Sequence, residues 1–121
     1  TIYLARTGHS MDEIKEYIKN YYTIDFTLDE IRDDYDFYEI CQKSVPQALE
    51  AFFESTSFED AIRNAISIGG DSDTIAAITG SIAEAFYGAD EDMKETALSY
   101  LDSYLLDIAE SFVNKFINKE S

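Results

Sequence analysis

The sequence has very few of the residues that cross-link, kink or interrupt a chain. It contains one cysteine, Cys41, one proline, Pro46, and no tryptophan. A single cysteine excludes a disulfide framework within these residues, so we expect a reducing compartment and, by default, the cytoplasm. One proline and five glycines among 121 residues leave no linker-like or low-complexity segment. No apolar run approaches the length of a membrane span, and we expect no membrane partner.

Positive charge is also scarce. Nine lysines and arginines stand against 25 aspartates and glutamates, which gives a formal net charge of −16. Such a chain repels phosphate backbones and anionic membrane surfaces, so non-specific binding to nucleic acid is not expected. The same charge favours cations. Most of these acids are expected on solvated helix faces, and only an unusual arrangement of them would indicate a site.

Signals for strands are nearly absent, whereas signals for helix starts recur along the chain. Helix starts are predicted at Ser10, Thr27, Ser44, Ser57, Asp71 and Asp90. Gln47 is expected to reach back to the start at Ser44, and the acidic and aromatic stretch 33–41 is expected to be a loop. We predict an all-α, multi-helix orthogonal bundle of about six helices with short connections. It is expected to form a single helical domain over residues 1–121.

Two of these predicted helices have distinctive patterns. The helix over residues 71–88 is apolar or small almost all round, so we expect it to be central and buried. Its Gly80 costs roughly 1 kcal/mol relative to alanine in a helix interior, which predicts the close approach of a neighbouring helix. The final helix, starting at Asp90, is predicted to be the longest, with a continuous apolar stripe from Met93 to Phe116.

The residues with the clearest chemistry are the six from Gly69 to Thr74, Gly-Gly-Asp-Ser-Asp-Thr. One aspartate at a helix start is ordinary capping, but two at i and i+2 cannot make the same cap. Held together, the carboxylates of Asp71 and Asp73 repel each other, and a cation removes the conflict. With the Thr74 hydroxyl they form a hard oxygen donor set that suits Mg²⁺, Mn²⁺ or Ca²⁺. The paired glycines, Gly69 and Gly70, are expected to supply a bend that leaves room for metal and substrate, and spacing alone leaves metal binding and capping both open.

The sequence argues against two other known sites that contain an Asp-x-Asp pattern. A calcium loop of the EF-hand type starting at Asp71 requires a glycine and a glutamate where Ala76 and Ile82 stand. A phosphatase with an Asp-x-Asp motif requires a preceding parallel strand, and no βαβ pattern is present. Three donors are fewer than the six or so that such an ion takes, so further ligands are required. The nearest other acids, at residues 33–36, resemble a solvated loop.

A resemblance to a known family lies in residues 67–88, the run SIGGDSDTIAAITGSIAEAFYG. This run closely resembles the C-terminal signature of the ADP-ribosylglycohydrolases, a family that includes the dinitrogenase reductase-activating glycohydrolase. The run QKSVPQA at residues 42–48 resembles the Ser-Val-Pro helix start of the same family. The resemblance implies an all-α fold with two Mg²⁺ or Mn²⁺ ions. It also implies cleavage of the glycosidic bond that joins ADP-ribose to a protein side chain or another acceptor.

The resemblance assigns residues by matched position. It implies that Asp71, Asp73 and Thr74 are metal ligands, with Asp73 bridging the two ions. It implies a substrate-binding wall, for which packing or capping is an equally open interpretation. The residues of this wall, with the two glycines of the bend, are Tyr38, Cys41, Ser44, Val45, Gly69 and Gly70. No catalytic residue is assigned within the chain, and His9 and Cys41 have no recognisable catalytic partner.

One departure from the family is large. The N-terminal half of the family supplies a Gly-Asp motif, a Thr-Asp-Asp run of metal ligands and an acidic catalytic residue, and none of these is present. We therefore expect a C-terminal portion that binds metal weakly and is inactive alone. The expected partners are an ADP-ribosylated protein or an ADP-ribose-like ligand, and the missing half or a second copy. The alternative is an inactive relative that serves as a binding or structural helical module.

Overall fold

A computed structural model of the chain describes residues 1–36 and 40–118. Within these ranges the protein is helical and has no β-strand, which confirms the predicted all-α class. Eight α-helices occur in the described ranges, more than the sequence indicated. The helices are α1 Ile2–Arg6, α2 Met11–Ile18, α3 Leu28–Ile31, α4 Val45–Phe53, α5 Phe58–Ser67, α6 Ser72–Tyr87, α7 Glu91–Leu98 and α8 Ser103–Phe112. A 3₁₀ turn, Cys41–Lys43, precedes α4, and a π-helical turn, Val113–Ile117, follows α8.

The helices belong to two compact units. The first, Thr1–Gly88, contains α1 to α6, and the second, Ala89–Ser121, contains α7 and α8. The single domain that the sequence suggested over residues 1–121 stays a prediction. None of the helices in the described ranges combines the length and the apolar character needed to cross a membrane.

Three helix starts use the cap that the sequence predicts, a hydroxyl oxygen that accepts from the backbone N–H three residues later. These bonds are Glu13 N to Ser10 Oγ (3.2 Å), Glu30 N to Thr27 Oγ1 (3.3 Å) and Asp60 N to Ser57 Oγ (3.1 Å). At α3 the box is complete, because the Glu30 carboxylate also accepts from the Thr27 N–H at 3.3 Å. These bonds satisfy N–H groups that a helix start otherwise leaves unpaired.

The start of α4 differs from the prediction. The Ser44 hydroxyl donates backward to the Ile40 carbonyl oxygen at 3.0 Å and makes no bond to a helix N–H. The Gln47 Oε1 is buried and has no hydrogen-bond partner among the described residues. Capping by Ser44 and Gln47 is therefore wrong. The backbone of Ser44 (φ −123°, ψ −41°) is not in the extended conformation of a capping residue, so its side chain serves the preceding turn instead.

The predicted final helix is interrupted. Its apolar stripe is divided because α7 ends at Leu98 and α8 begins only at Ser103. Asp102 has an extended backbone (ψ 170°), and its carboxylate accepts from the Leu105 N–H at 2.9 Å. This side chain competes with continuation of the helix and starts a new one. The longest helix in the described part of the chain is α6, with 16 residues.

In the first unit, α6 packs against α1, α4 and α5. The Thr79 hydroxyl, fully buried, donates to the Ala48 carbonyl oxygen of α4 at 2.9 Å. A methyl group at Gly80 would lie 2.9 Å from Cδ1 of Ile62, which confirms the close approach of a neighbouring helix. The residues of α6 that are buried are Ile75, Thr79, Ile82 and Ala83.

The expectation that α6 is buried almost all round is wrong. One side of the helix is exposed along its length, and it presents small or polar side chains. These exposed residues are Asp73, Thr74, Ala77, Ser81 and Glu84. The buried residues recur at three- and four-residue steps, so a single face anchors the helix. The start of α6 is thereby held in place while Asp73 and Thr74 of its first turn remain accessible.

A buried carboxyl group lies on α4, outside the predicted site. Glu50 is 5% exposed, and its Oε2 has no hydrogen-bond partner among the described residues. Burial, followed by the hydrogen bond and the charge of Glu54, raises the pKa of Glu50 to about 7, against the opposing effect of Lys15. Glu54 in turn accepts from the Leu28 N–H at 2.8 Å, at the start of α3.

The free energy of unfolding is expected to fall as the pH rises from about 5 to about 8. The pKa of Glu50 is higher in the folded state than in the unfolded chain, so the folded state binds more protons in this window. The stabilisation that this proton gives is therefore lost as the pH rises through about 7. We expect Glu50→Gln to remove about 1–3 kcal/mol of this pH dependence, as urea unfolding at several pH values would measure. The matched control is Glu95→Gln on the exposed surface of α7, which is expected to keep the slope. A Glu50→Gln protein with the same slope as wild type would contradict this assignment.

Candidate metal centre

Two glycines turn the chain between α5 and α6. Gly69 and Gly70 have φ values of +74° and +66°, in the left-handed region that residues with a Cβ rarely adopt. Ile68 is 2% exposed on one side of the bend, and Ile75 is fully buried on the other. The bend is therefore anchored in the core at both ends, and residues 69–74 have a defined position above it.

Asp71 stands at the N-cap of α6 but does not cap it. Its carboxylate makes no capping hydrogen bond, and its side chain is half-buried. Asp102, at the same position before α8, shows what a capping aspartate does, because it accepts from the Leu105 N–H at 2.9 Å. Capping was one of the two interpretations that spacing left open for Asp71. Because the capping bond is absent there, the carboxylate remains available for a ligand.

Asp73 lies against Asp71 through its side chain. A hydrogen bond with the Asp71 carboxyl group is the main cause that lowers the pKa of Asp73, followed by backbone N–H groups at Thr74 and at Asp73 itself. The Thr74 N–H donates to Asp73 Oδ1 at 3.0 Å. Two carboxylates side by side repel each other, and a proton or a cation between them relieves this repulsion. Their chemistry fits a hard divalent ion.

The donor set at this bend is incomplete for such an ion. Asp73 and Thr74 are exposed in the first turn of α6, so they are accessible to a ligand from solvent. Within residues 1–36 and 40–118, no three histidine, cysteine, aspartate or glutamate side chains lie close enough together to hold a metal ion. Asp71, Asp73 and Thr74 therefore stay predicted ligands, and an ion bound to them needs donors from water, substrate or other residues.

The residues of the predicted substrate wall lie at the start of α4. Cys41 is exposed in the 3₁₀ turn, and Val45 is the half-buried first residue of α4. Ser44 is 4% exposed, and its hydroxyl is occupied by the Ile40 carbonyl oxygen. Tyr38 lies outside the described residues. Ser44 therefore stabilises the wall from inside, whereas Cys41 is on its surface.

Tyr35 connects this wall with the bend, and the sequence analysis did not single it out. The edge of its ring lies directly against Gly70, so a methyl group there would meet the ring. Its hydroxyl group donates to the Lys43 carbonyl oxygen at 2.5 Å. Two segments far apart in the sequence thus lie on either side of one ring. A large aromatic residue inside an acidic run was the only signal that could have indicated this packing.

A second contact joins the end of α3 to the end of α5. The Arg32 guanidinium donates to Ser67 Oγ from Nη2 at 3.0 Å and from Nε at 3.2 Å. Arg32 also pairs with Asp29, one turn earlier. The expectation of a solvated loop holds for the exposed side chains of Asp33, Asp34 and Asp36. The half-buried ring of Tyr35, which that expectation did not cover, packs on the bend.

Comparison with known families gives a match over almost the whole chain. A family model described as ADP-ribosylglycohydrolase matches residues 3–121, and the chain therefore belongs to the ADP-ribosylglycohydrolase family. The match confirms the resemblance that residues 67–88 indicated. Searches of curated proteins and of solved structures give no match. The family suggests a hydrolase of the ADP-ribosylglycohydrolase kind, and it is generally metal-dependent.

The two glycines of the bend should respond differently to alanine. At Gly70 a Cβ would lie 2.8 Å from the Asp36 carbonyl oxygen and against the Tyr35 ring, whereas at Gly69 nothing lies within 4 Å. Gly69→Ala is expected to cost about 1–2 kcal/mol from its left-handed backbone alone. Gly70→Ala is expected to cost about 1–3 kcal/mol more, because the loop must also move. Urea unfolding of both variants measures the difference. Equal losses in the free energy of unfolding would show that the loop moves away from Gly70 at no energetic cost.

Proposed function

We propose that this member of the ADP-ribosylglycohydrolase family takes part in the metal-dependent removal of ADP-ribose from modified proteins or related acceptors. Its contribution is the half of a two-metal centre formed by Asp71, Asp73 and Thr74. The observation that supports this most directly is the carboxyl pair at the start of α6. Asp71 makes no capping hydrogen bond there, and its carboxyl group interacts with that of Asp73. The reversal of regulatory ADP-ribosylation is the implied role.

The chemistry of the donors favours Mg²⁺ or Mn²⁺. Both carboxylates and the Thr74 hydroxyl are hard oxygen donors, and no sulfur or imidazole donor belongs to the proposed set. The N-terminus of α6 stabilises negative charge on the carboxylates, but it does not attract a cation, so binding depends on the paired acids. A chain that supplies only these three donors should hold the ion weakly by itself.

The residues around the donors have separate tasks in this proposal. Gly69 has no side chain and no neighbour where one would stand, so it leaves the approach to the carboxylates open, whereas Gly70 is covered by the Tyr35 ring and the Asp36 carbonyl group. The buried residues Ile75 and Thr79 hold α6 in place, so the donors need not be ordered when the ion binds. When bound, the ions supply Lewis-acid polarisation and orient a water or a substrate hydroxyl at the reacting carbon.

The substrate side of the site is proposed from Cys41, Val45 and the two glycines, with the buried Ser44 supporting the turn behind them and Tyr38 as a further candidate. Tyr35 supports this assignment because it places the Cys41–Lys43 turn and Gly70 on one ring. The net charge of −16 makes polyanionic nucleic acid an unfavourable partner, and it makes the metal ions necessary to offset the pyrophosphate of ADP-ribose. A cytoplasmic location fits the single cysteine and is part of the proposal.

Metal binding by the full chain can be tested by calorimetric titration with Mn²⁺. We expect Asp71→Asn and Asp73→Asn each to reduce the affinity at least about tenfold, since each removes a donor charge. The chain contains a matched control, because Asp90 and Asp92 repeat the same spacing at the start of α7, where Asp90 also makes no capping hydrogen bond. The double variant Asp90→Asn, Asp92→Asn should bind Mn²⁺ like wild type. Equal losses in both pairs would indicate non-specific attraction to an acidic surface.

An assay of ADP-ribose release distinguishes the proposed role in an enzyme from the role of an inactive binding module. The chain alone, with Mg²⁺ or Mn²⁺, is expected to release no ADP-ribose from an ADP-ribosylated protein. Addition of a polypeptide with the Thr-Asp-Asp segment of the family should restore release, and Asp73→Asn should abolish it. Turnover by the chain alone would refute the half-site. ADP-ribose binding without release in the complemented mixture would favour a binding module, for which the incomplete donor set is the supporting observation.

A further inference from the structure

Tyr35 touches both parts of the proposed site through different atoms. A methyl group placed at Gly70 would lie 2.9 Å from Cδ1 of the ring, so the ring edge and the Gly70 backbone are in direct contact. The hydroxyl group, on the ring carbon next to the edge that faces Gly70, donates to the Lys43 carbonyl oxygen at 2.5 Å. The ring itself therefore sets the separation between the metal-binding bend and the turn that precedes Ser44.

The position of Tyr35 is fixed by contacts that do not involve the site. Its N–H donates to the Ile31 carbonyl oxygen at 2.8 Å, directly after α3. Its ring packs against the core cluster that includes Leu28, Ile68 and Ile75. Arg32 holds the same segment to the end of α5 through Ser67. These contacts hold the ring in place, so the packing of the core determines where the ring lies relative to the bend and the turn.

We propose that Tyr35 is a positioning residue that holds the substrate wall, residues 41–45, at a set distance from the metal-binding bend, residues 69–74. The inference rests on the proposed function, in which the bend binds the metal ions and the wall contacts the rest of an ADP-ribose ligand. The ring edge positions Asp71 and Asp73 through Gly70. The hydroxyl positions the wall through the Lys43 carbonyl group.

Two substitutions at Tyr35 separate these effects. Tyr35→Phe keeps the ring against Gly70 and removes only the bond to Lys43. Tyr35→Leu removes both the ring edge and the bond. The matched control is Tyr21→Phe, because the Tyr21 hydroxyl also forms a side-chain hydrogen bond, at 3.2 Å to Tyr17, on an exposed surface away from the bend.

Ligand affinity is the first measurement. For Tyr35→Phe we expect unchanged Mn²⁺ affinity and ADP-ribose affinity, measured in the presence of Mn²⁺, that is lower by roughly three- to tenfold. For Tyr35→Leu we expect both affinities to fall by a similar or larger factor, with helical circular dichroism retained. Tyr21→Phe should change neither. A purely structural role would lower the unfolding midpoint of Tyr35→Phe without this split between the two ligands.

Amide hydrogen exchange in the metal-free chain is the second measurement, and it does not depend on any ligand. Tyr35→Phe should speed exchange at Lys43 and Ser44, whose N–H groups donate within the turn to Ile40 and Cys41, by roughly three- to tenfold. Ile75, whose N–H donates to the Asp71 carbonyl oxygen at 3.0 Å, should be unchanged in Tyr35→Phe and faster in Tyr35→Leu.

The two measurements distinguish failure of this inference from failure of the proposed function. Unchanged exchange at both segments in folded Tyr35→Leu would overturn the positioning role whatever the metal result. Wild-type protein that binds no Mn²⁺, with the expected exchange pattern, would remove the metal proposal and leave Tyr35 as the spacer between the two segments. Mn²⁺ binding that depends on Asp71 but not on the ring would overturn only the positioning role.

Discussion

Gly70 occupies a position where only a hydrogen atom fits. Its left-handed backbone follows that of Gly69, and the Tyr35 ring and the Asp36 carbonyl group fill the space that a side chain would need. This contact determines where α6 begins relative to the end of α3. The carboxylates of Asp71 and Asp73 follow within three residues of Gly70, so their position depends on it directly. The rest of the proposed site is arranged around this one close approach.

Hydrophobic burial makes the bend rigid. Ile68 before the bend and Ile75 after it both lie in the core, and Thr79 bonds to the backbone of α4 one turn further along α6. Because one face of α6 is anchored so firmly, its first turn can bear two acids without a capping bond from Asp71. Placing like charges together costs stability, and a cation bound between the carboxylates, as we propose, would offset that cost.

The buried acid on α4 shows that unusual ionisation is not confined to the proposed site. Burial and the neighbouring Glu54 raise the pKa of Glu50 to about 7, yet no second donor set accompanies it in the described residues. The Asp71 and Asp73 pair differs because Asp73 is exposed, and because both acids stand at the start of a long helix within the region that the family model matches. Perturbed ionisation becomes informative about function only together with such geometry.

The sequence by itself determined the all-α class, the caps at Ser10, Thr27 and Ser57, the bend at the paired glycines and the family, because these depend on local backbone preferences and on a contiguous signature. Tertiary structure alone decided the open side of α6, the break at Asp102 and the place of Tyr35 against Gly70. Each of these depends on which of several similar apolar surfaces pack together, or on which of two competing hydrogen bonds forms. Helical periodicity shows that a face is apolar, but only the packed chain shows what covers it.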